Sequence, residues 1–238
     1  MQLEQSVALI TGASRGLGLE IARVYAERGA RLVLAARGAD DLQAAAAELR
    51  RRTDVVALAL DVSEEAEGLV EAGIRRFGRI DVLVNNASEL GPSPMPRLED
   101  YGWRDLQRVF RVNLLAPLHL TQLVLPGMKA RGAGVIINVS SDAGVEAYPG
   151  WGGYGASKAA LEHIPLTLAA ELEGTGVRVY AVDPGDMNTE MHRLAEPGVD
   201  LSGLPGPEVP APVFSWLVEH ETAPFARVQA QALAATAS

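Results

Sequence analysis

The sequence contains no cysteine, which excludes disulfide frameworks, thiolate zinc sites, iron–sulfur clusters and cysteine nucleophiles. It also has no run of about 18 consecutive apolar residues, the length that crosses a bilayer. Met1 to Gln5 carries no basic region leading into a long apolar stretch, so no targeting segment is read there. A cytoplasmic protein with no membrane partner and no metal is expected. Basic charge is scarce too: 21 Lys and Arg face 30 Asp and Glu, a formal charge of −9. Phosphate backbones are bound by basic faces that release counterions, so nucleic acid is not an expected partner.

What is present is a chain of 238 residues, 48% apolar, ample for one core. Short apolar runs alternate with segments of helical periodicity. Ser6 to Ile10 precedes a glycine turn and a helix over Gly16 to Arg28, where Leu17, Ile21, Val24 and Tyr25 share a face. Arg31 to Ala35 precedes a helix over Asp40 to Arg51, and Val55 to Leu60 one over Glu64 to Phe77. Ile80 to Val84 leads into a long helix from about Trp103 to Lys129. Val135 to Val139 and Val177 to Val182 follow, with a helix between them. Val/Ile/Leu runs without polar alternation suit strands covered on both faces, so the expected fold is a single-domain, Rossmann-type, doubly wound parallel α/β sheet over 1–238. Glu196 to Pro212 holds five Pro and three Gly and reads either as a mobile loop over the site, within a lid spanning about 190–220, or as a plain surface insertion. Val213 to His220 reads as a short helix, whereas Ala226 to Ser238 is ambiguous.

Thr11-Gly12-Ala13-Ser14-Arg15-Gly16-Leu17-Gly18 joins the first strand to the first helix. Glycines there let the backbone approach a pyrophosphate, whose charge meets free N–H groups at the helix start. The spacing Gly-x-x-x-Gly-x-Gly, with Thr before it, resembles the short-chain dehydrogenase/reductase family in its compact single-domain branch. Further motifs fall in that family's order: Asp61-Val62, Asn85-Asn86-Ala87, Asn113, Ser141, Tyr154-Gly155-Ala156-Ser157-Lys158, and Pro184-Gly185 with Thr189. The resemblance spans roughly residues 6–190 and implies hydride transfer between a nicotinamide cofactor and a small-molecule carbonyl or alcohol.

By the same resemblance, Gly12, Ser14, Arg15, Gly16, Leu17 and Gly18 line the pyrophosphate and ribose side. Asp61 and Val62 hold the adenine edge, Asn86, Ala87 and Ser88 the ribose region, and Pro184, Gly185 and Thr189 the carboxamide. Local readings stand beside these: Asp61 as a cap for the helix start at Ser63, Asn86 as a turn residue, Pro184-Gly185 as a simple turn. The second strand ends Ala35-Ala36-Arg37, where an NAD enzyme places an acid for the ribose hydroxyls. With no acid at Ala36, and with Arg15 and Arg37 available to fork onto a 2′-phosphate, NADP(H) is expected over NAD(H). The alternative is that both arginines are solvated surface groups.

Tyr154 and Lys158 stand four apart on a helical stretch and share a face. A phenol of ordinary pKa near 10 is a poor base at neutral pH, and a neighbouring ammonium lowers that value. Ser141, thirteen residues before Tyr154, ends the fifth strand and could polarise a carbonyl, while Ser140 points the other way as a structural serine. Asn113 sits in an apolar helical stretch, where a satisfied core amide is one reading. The resemblance implies instead that it fixes a water connecting Lys158 to solvent. Asn113, Ser141, Tyr154 and Lys158 are thus the candidate catalytic set. Glu89, Asp142, Tyr148, Trp151, Asp186 and Met187 are candidate substrate-lining residues, and they name no molecule.

Three features depart from the family's habit. Ser88 replaces the Gly that usually ends Asn-Asn-Ala-Gly. Pro165 lies in a helix that often packs at a dimer interface, where an interior proline costs about 3 kcal/mol. Nothing after Phe225 matches the usual Val-Asp-Gly-Gly ending. A homodimer or homotetramer is nonetheless expected. Two other functions remain open: a nucleotide-sensing protein that never turns over, and a non-redox epimerase or dehydratase.

Overall fold

The structure, a computed structural model, describes residues 1–236; the last two residues of the expected 1–238 domain lie outside them. Seven parallel strands form one sheet in the order β3-β2-β1-β4-β5-β6-β7. They are β1 (Val7–Thr11), β2 (Arg31–Ala36), β3 (Val55–Ala59), β4 (Val82–Asn85), β5 (Gly134–Val139), β6 (Val177–Asp183) and β7 (Phe225–Gln229). Every residue of β1, β4 and β5 is buried, as the unalternating apolar runs require.

Successive side chains feed two separate cores. Ile10, Val84 and Ile137 pack with Ile21 and Tyr25 of α1 (Gly16–Glu27), Leu42 of α2 (Ala39–Leu49) and Phe214 of α8 (Ala211–Glu219). Leu9, Leu83 and Ile136 pack on the other face with Leu69 of α3 (Ala66–Phe77) and Leu120 and Val124 of α5 (Ala116–Arg131). The strand order reverses at β1, whose neighbours are β2 and β4. The crevice beyond the C-terminal ends of the strands at that point is where this architecture binds ligands.

The stretch read as one long helix is α4 (Trp103–Phe110), a π-helical turn over Arg111–Leu115, and α5. In that turn the Ala116 N–H bonds back to the Arg111 carbonyl, and Asn113 is fully buried. Helix α6 (Gly152–Glu171) runs unbroken through a buried Pro165. The ambiguous C-terminus forms β7 and α9 (Ala230–Thr236), so the sheet closes with a strand despite the unfamiliar sequence. Within 190–220, α7 (Glu190–Ala195) and α8 flank an irregular Pro/Gly-rich connection. The Asn188 N–H bonds to the Pro205 carbonyl, which folds this connection back against the start of α7.

Candidate active site

Two adjoining clefts open beyond β1, β4, β5 and β6. The larger, of about 1980 Å³, runs from Arg37 and Asp61 past the glycine turn to Tyr154 and Lys158. The smaller, of about 510 Å³, is lined by Ser141, Asp142, Trp151, Tyr154, Asp186 and Met187 among others.

The glycine turn needs its glycines at defined places. Gly12 has φ +66°, and a Cβ on it would stand 2.8 Å from Asn86 Nδ2. A Cβ on Gly18 would stand 2.3 Å from the Gly12 carbonyl oxygen. Asn86 clamps this turn by donating from Nδ2 to the carbonyls of Thr11 (2.9 Å) and Gly12 (3.1 Å). Thr11 Oγ1 in turn accepts from the N–H groups of Asn86 and Ala87. Helix α1 begins at Gly16 with no side-chain cap on Arg15 and no acid in its first turn. Its first N–H groups and positive dipole end face the cleft, which suits a pyrophosphate. The cradle therefore fits a dinucleotide.

Of the remaining expected cofactor residues, Ser14, Leu17, Val62, Ser88, Pro184 and Thr189 also line the larger cleft. Gly185 borders the smaller one, at φ +75°. Thr189 Oγ1 additionally caps α7 by accepting from the His192 N–H. Asp61 closes a turn ahead of α3, which begins only at Ala66, and so does not cap a helix start at Ser63: Oδ1 accepts from the N–H and hydroxyl of Ser63, and Oδ2 accepts from Arg108. Burial works against its ionisation, yet the Arg108 and Ser63 hydrogen bonds outweigh it and hold the carboxyl at about 2.

Both arginines expected to face a 2′-phosphate hold carboxylates. Arg15 Nη1 lies 2.6 Å from Glu190 of α7, and Arg37 Nη1 lies 3.1 Å from Glu89. Glu89, expected along the substrate, lines the larger cleft and not the smaller one. Arg108 and Glu190 also line the larger cleft and carry no local motif; only their long-range pairings, like that of Glu89, mark them.

Tyr154 is 8% exposed and is the one titratable residue that lines both clefts among the described residues. Burial pushes its phenol up to about 12, with Asp142 and Asp183 adding to the rise and the nearby Ser88 and Ser141 hydroxyls opposing it. Lys158 Nζ lies 5.4 Å from the Tyr154 ring centre and donates to the Val139 carbonyl at 2.7 Å. Burial draws this ammonium down to about 8 against the opposing charge of Glu162. The expected lowering of the phenol is thus not found in the polypeptide by itself, where the loss of solvent around the phenol raises it.

Ser141 Oγ donates to Asp142 Oδ1 at 2.9 Å. Ser140 Oγ donates instead to Glu162 Oε1 at 2.6 Å, as a structural serine would. The Asn113 amide is fully engaged by protein groups. Its Oδ1 accepts from Ser88 Oγ (3.2 Å) and the Glu89 N–H (2.7 Å). Its Nδ2 donates to the Glu89 carbonyl and to Ser157 Oγ, each at 2.9 Å.

A family model described as short chain dehydrogenase matches residues 6–199. The chain belongs to the short-chain dehydrogenase family. This dehydrogenase is 35% identical over 233 residues to the 3-oxoacyl-(acyl-carrier-protein) reductase FabG of Thermotoga maritima, covering 93% of this chain and 94% of that one. A metagenomic short-chain oxidoreductase solved with NADP is similar at TM-score 0.81 and 32% identity, over 95% of this chain and 98% of that one. An NAD⁺-bound xylitol dehydrogenase is similar at TM-score 0.85 and 25% identity, over 96% and 98% of the two chains. Family membership makes the protein an oxidoreductase. Among the described residues of this dehydrogenase, no helix is long and apolar enough to cross a membrane.

Proposed function

We propose that the protein transfers a hydride between NADP(H) and a small-molecule carbonyl or alcohol, with Tyr154 as general acid and base. The observation that carries this is the position of Tyr154, the one titratable residue among the described residues that lines both clefts. A nicotinamide cofactor bound in the larger cleft supplies or takes up the hydride. Tyr154 gives a proton to the developing alkoxide in reduction and accepts it in oxidation. Ser141, at the mouth of the smaller cleft, orients the carbonyl oxygen once its hydroxyl turns from Asp142. Lys158 places a positive charge beside the phenol, and Asn113 fixes the segment after β4 against α6 through Glu89 and Ser157.

Preference for NADP(H) rests on Arg37 and Arg15 at the adenosine end and on Ala36, which presents no carboxylate at the tip of β2. Relatives solved with either cofactor are compatible with the fold, so the side chains of this chain decide the preference. The test is a screen of carbonyls and alcohols with NADPH, NADH and their oxidised forms, followed at 340 nm beside cofactor titration. Turnover with NADPH preferred supports the reading. Cofactor binding with no turnover of any compound would favour the nucleotide-sensing alternative.

A further inference from the structure

The two clefts differ in charge. Arg15, Arg37, Arg108, Lys158 and Arg193 line the larger one beside four carboxylates. Among the described residues, no Lys or Arg lines the smaller one, whose ionisable walls are Asp142, Asp183, Asp186, His192 and Tyr154. His192 is already bonded to Glu196 Oε2 at 3.2 Å. The cofactor end of the site holds the cations, and the substrate end is acidic.

The three carboxylates are not equivalent. Asp183 is buried, accepts from the Gly185 N–H at 3.0 Å and has Arg227 Nη2 3.8 Å away. Asp186 is exposed and lies 3.9 Å from His192 Nδ1. Asp142 is half-buried, and the hydrogen bonds it accepts all come from neutral donors. Its Oδ1 takes Ser141 Oγ at 2.9 Å and the Ala143 N–H at 2.7 Å. Its Oδ2 lies 2.9 Å from the Tyr148 hydroxyl, which is also 2.9 Å from Glu146 Oε2 and can give its single proton to only one of them at a time. An ammonium placed there would gain a charge-assisted bond that no side chain supplies. Asp142 is also fixed in position. It opens a 3₁₀ turn, Asp142–Gly144, packed so closely on α6 that a Cβ on Gly155 would stand 2.5 Å from the Ala143 carbonyl oxygen. Beside it stand three aromatic rings. Trp151 meets Tyr148 edge-on with ring centres 6.4 Å apart, and Tyr154 with ring centres 5.8 Å apart. Aromatic faces attract cations, and Leu90, Met191 and Ala195 add apolar wall for the rest of a small molecule.

We propose that the smaller cleft selects substrates whose carbonyl or alcohol lies a few bonds from a protonated amine, with Asp142 and Trp151 recognising the ammonium. This rests on the reading of that cleft as the place where Tyr154 meets the substrate. In that reading the Ser141 hydroxyl turns from Asp142 to the substrate oxygen, which takes one donor from Oδ1. An ammonium N–H replaces it and brings a full positive charge. Ser141 Oγ is only 2.9 Å from Oδ1, so a short molecule such as a 1,2-amino alcohol or an α-amino ketone reaches both groups at once. The ammonium keeps its protons throughout. In reduction the carbonyl carbon gains the hydride from the nicotinamide, and its oxygen gains the Tyr154 proton. A carboxylate or phosphate in the same place would face Asp142 and Asp186 with no Lys or Arg among the lining residues to meet it.

The test compares three secondary alcohols at neutral pH with saturating NADP⁺: 1-dimethylamino-2-propanol, which is protonated there, its uncharged isostere 4-methyl-2-pentanol, and the anion 3-hydroxybutyrate. Absorbance at 340 nm gives kcat/KM, and calorimetry gives the binding of each alcohol to the NADP⁺ complex. A bond between ammonium and carboxylate should favour the amine over its isostere by about tenfold or more, with 3-hydroxybutyrate slowest. Asp142→Asn should bring that ratio to within about twofold of one, and Trp151→Leu should lower it about twofold to fivefold. Melting curves confirm folding of the variants, and the wild-type ratio needs no variant at all. A wild-type ratio near one, or the anion used best, with Tyr154→Phe inactive, overturns the ammonium assignment and leaves hydride transfer standing. A ratio that survives Asp142→Asn overturns it too. If the wild type oxidises none of the three, the functional reading fails and calorimetry decides. Amine binding about tenfold tighter than that of the isostere, lost in Asp142→Asn, upholds the ammonium site, and equal binding overturns it.

Discussion

Replacing Glu89 by Gln should raise affinity for NADPH, because Glu89 now holds the guanidinium that a 2′-phosphate would take. The side chain of Arg37 is 62% exposed and its Nη1 lies 3.1 Å from Glu89. Exposed ion pairs of this kind contribute about 0.2–1 kcal/mol, so freeing Arg37 should tighten NADPH binding by about 1.4-fold to 5-fold. The phosphate brings close to two negative charges and three acceptor oxygens. A forked bond to it is worth about 1.5–3 kcal/mol, so Arg37→Ala should weaken NADPH by about 10-fold to 150-fold, less the small worth of the lost Glu89 pair. NADH, which has no 2′-phosphate, should change by less than about twofold in either variant. Calorimetric titration of both cofactors at two salt concentrations reads these values directly, and the NADPH advantage should shrink at high salt. The backbone of Glu89, which holds Asn113 from both its N–H and its carbonyl, is untouched by the substitution. Weaker NADPH binding in Glu89→Gln, or equal losses for both cofactors in Arg37→Ala, would refute the assignment of Arg37 to the phosphate.

Gly18→Ala should disrupt cofactor binding without touching any charge, because its Cβ would press to 2.3 Å from the Gly12 carbonyl and 2.5 Å from Asn86 Nδ2. A destabilisation of about 1–3 kcal/mol and a weakened affinity for both cofactors are expected in denaturant and titration experiments. Asp61→Asn should reduce stability at neutral pH. The Asp61 carboxyl falls from 3.8 to about 2 in the folded chain, so its contribution is complete above pH 3.8 and lost as pH drops toward 2. After discounting for partial exposure, that contribution is about 1–2 kcal/mol, and the urea-unfolding difference between the two proteins should close across this acid window. Light scattering should show at least a dimer, since α6 and the π-helical turn present Leu166 and Leu115 about half exposed. A monomer at micromolar concentration would contradict that expectation.

The sheet was legible because six of its strands are short apolar runs bounded by turns or helical periods. The seventh was not: Phe225–Gln229 has no clean alternation and lies partly exposed at the edge, where backbone pairing to β6 rather than a buried face defines it. The π-helical turn was hidden for a related reason. One extra residue in a helical turn leaves the apolar pattern of Val112 and Ala116 nearly unchanged. In the site, the residue types and their order could be read from the chain, whereas their pairings could not. Arg108 reaches Asp61 across 47 residues, and Glu89 meets Arg37 across 52, because the sheet order brings the ends of β2, β3 and β4 together. The position of the Tyr154 phenol was misjudged in direction, since sequence shows a lysine four residues away but not the depth of burial or the nearby Asp142 and Asp183.

The most direct test of the account is Tyr154→Phe, assayed with NADPH and a carbonyl that the wild type reduces. The substitution keeps the ring between the two clefts and removes only the exchangeable proton. The account predicts a cofactor Kd within about threefold of wild type and a kcat lower by at least about 100-fold, the scale of general acid–base catalysis. A variant that reduces the same carbonyl at the wild-type rate would contradict it.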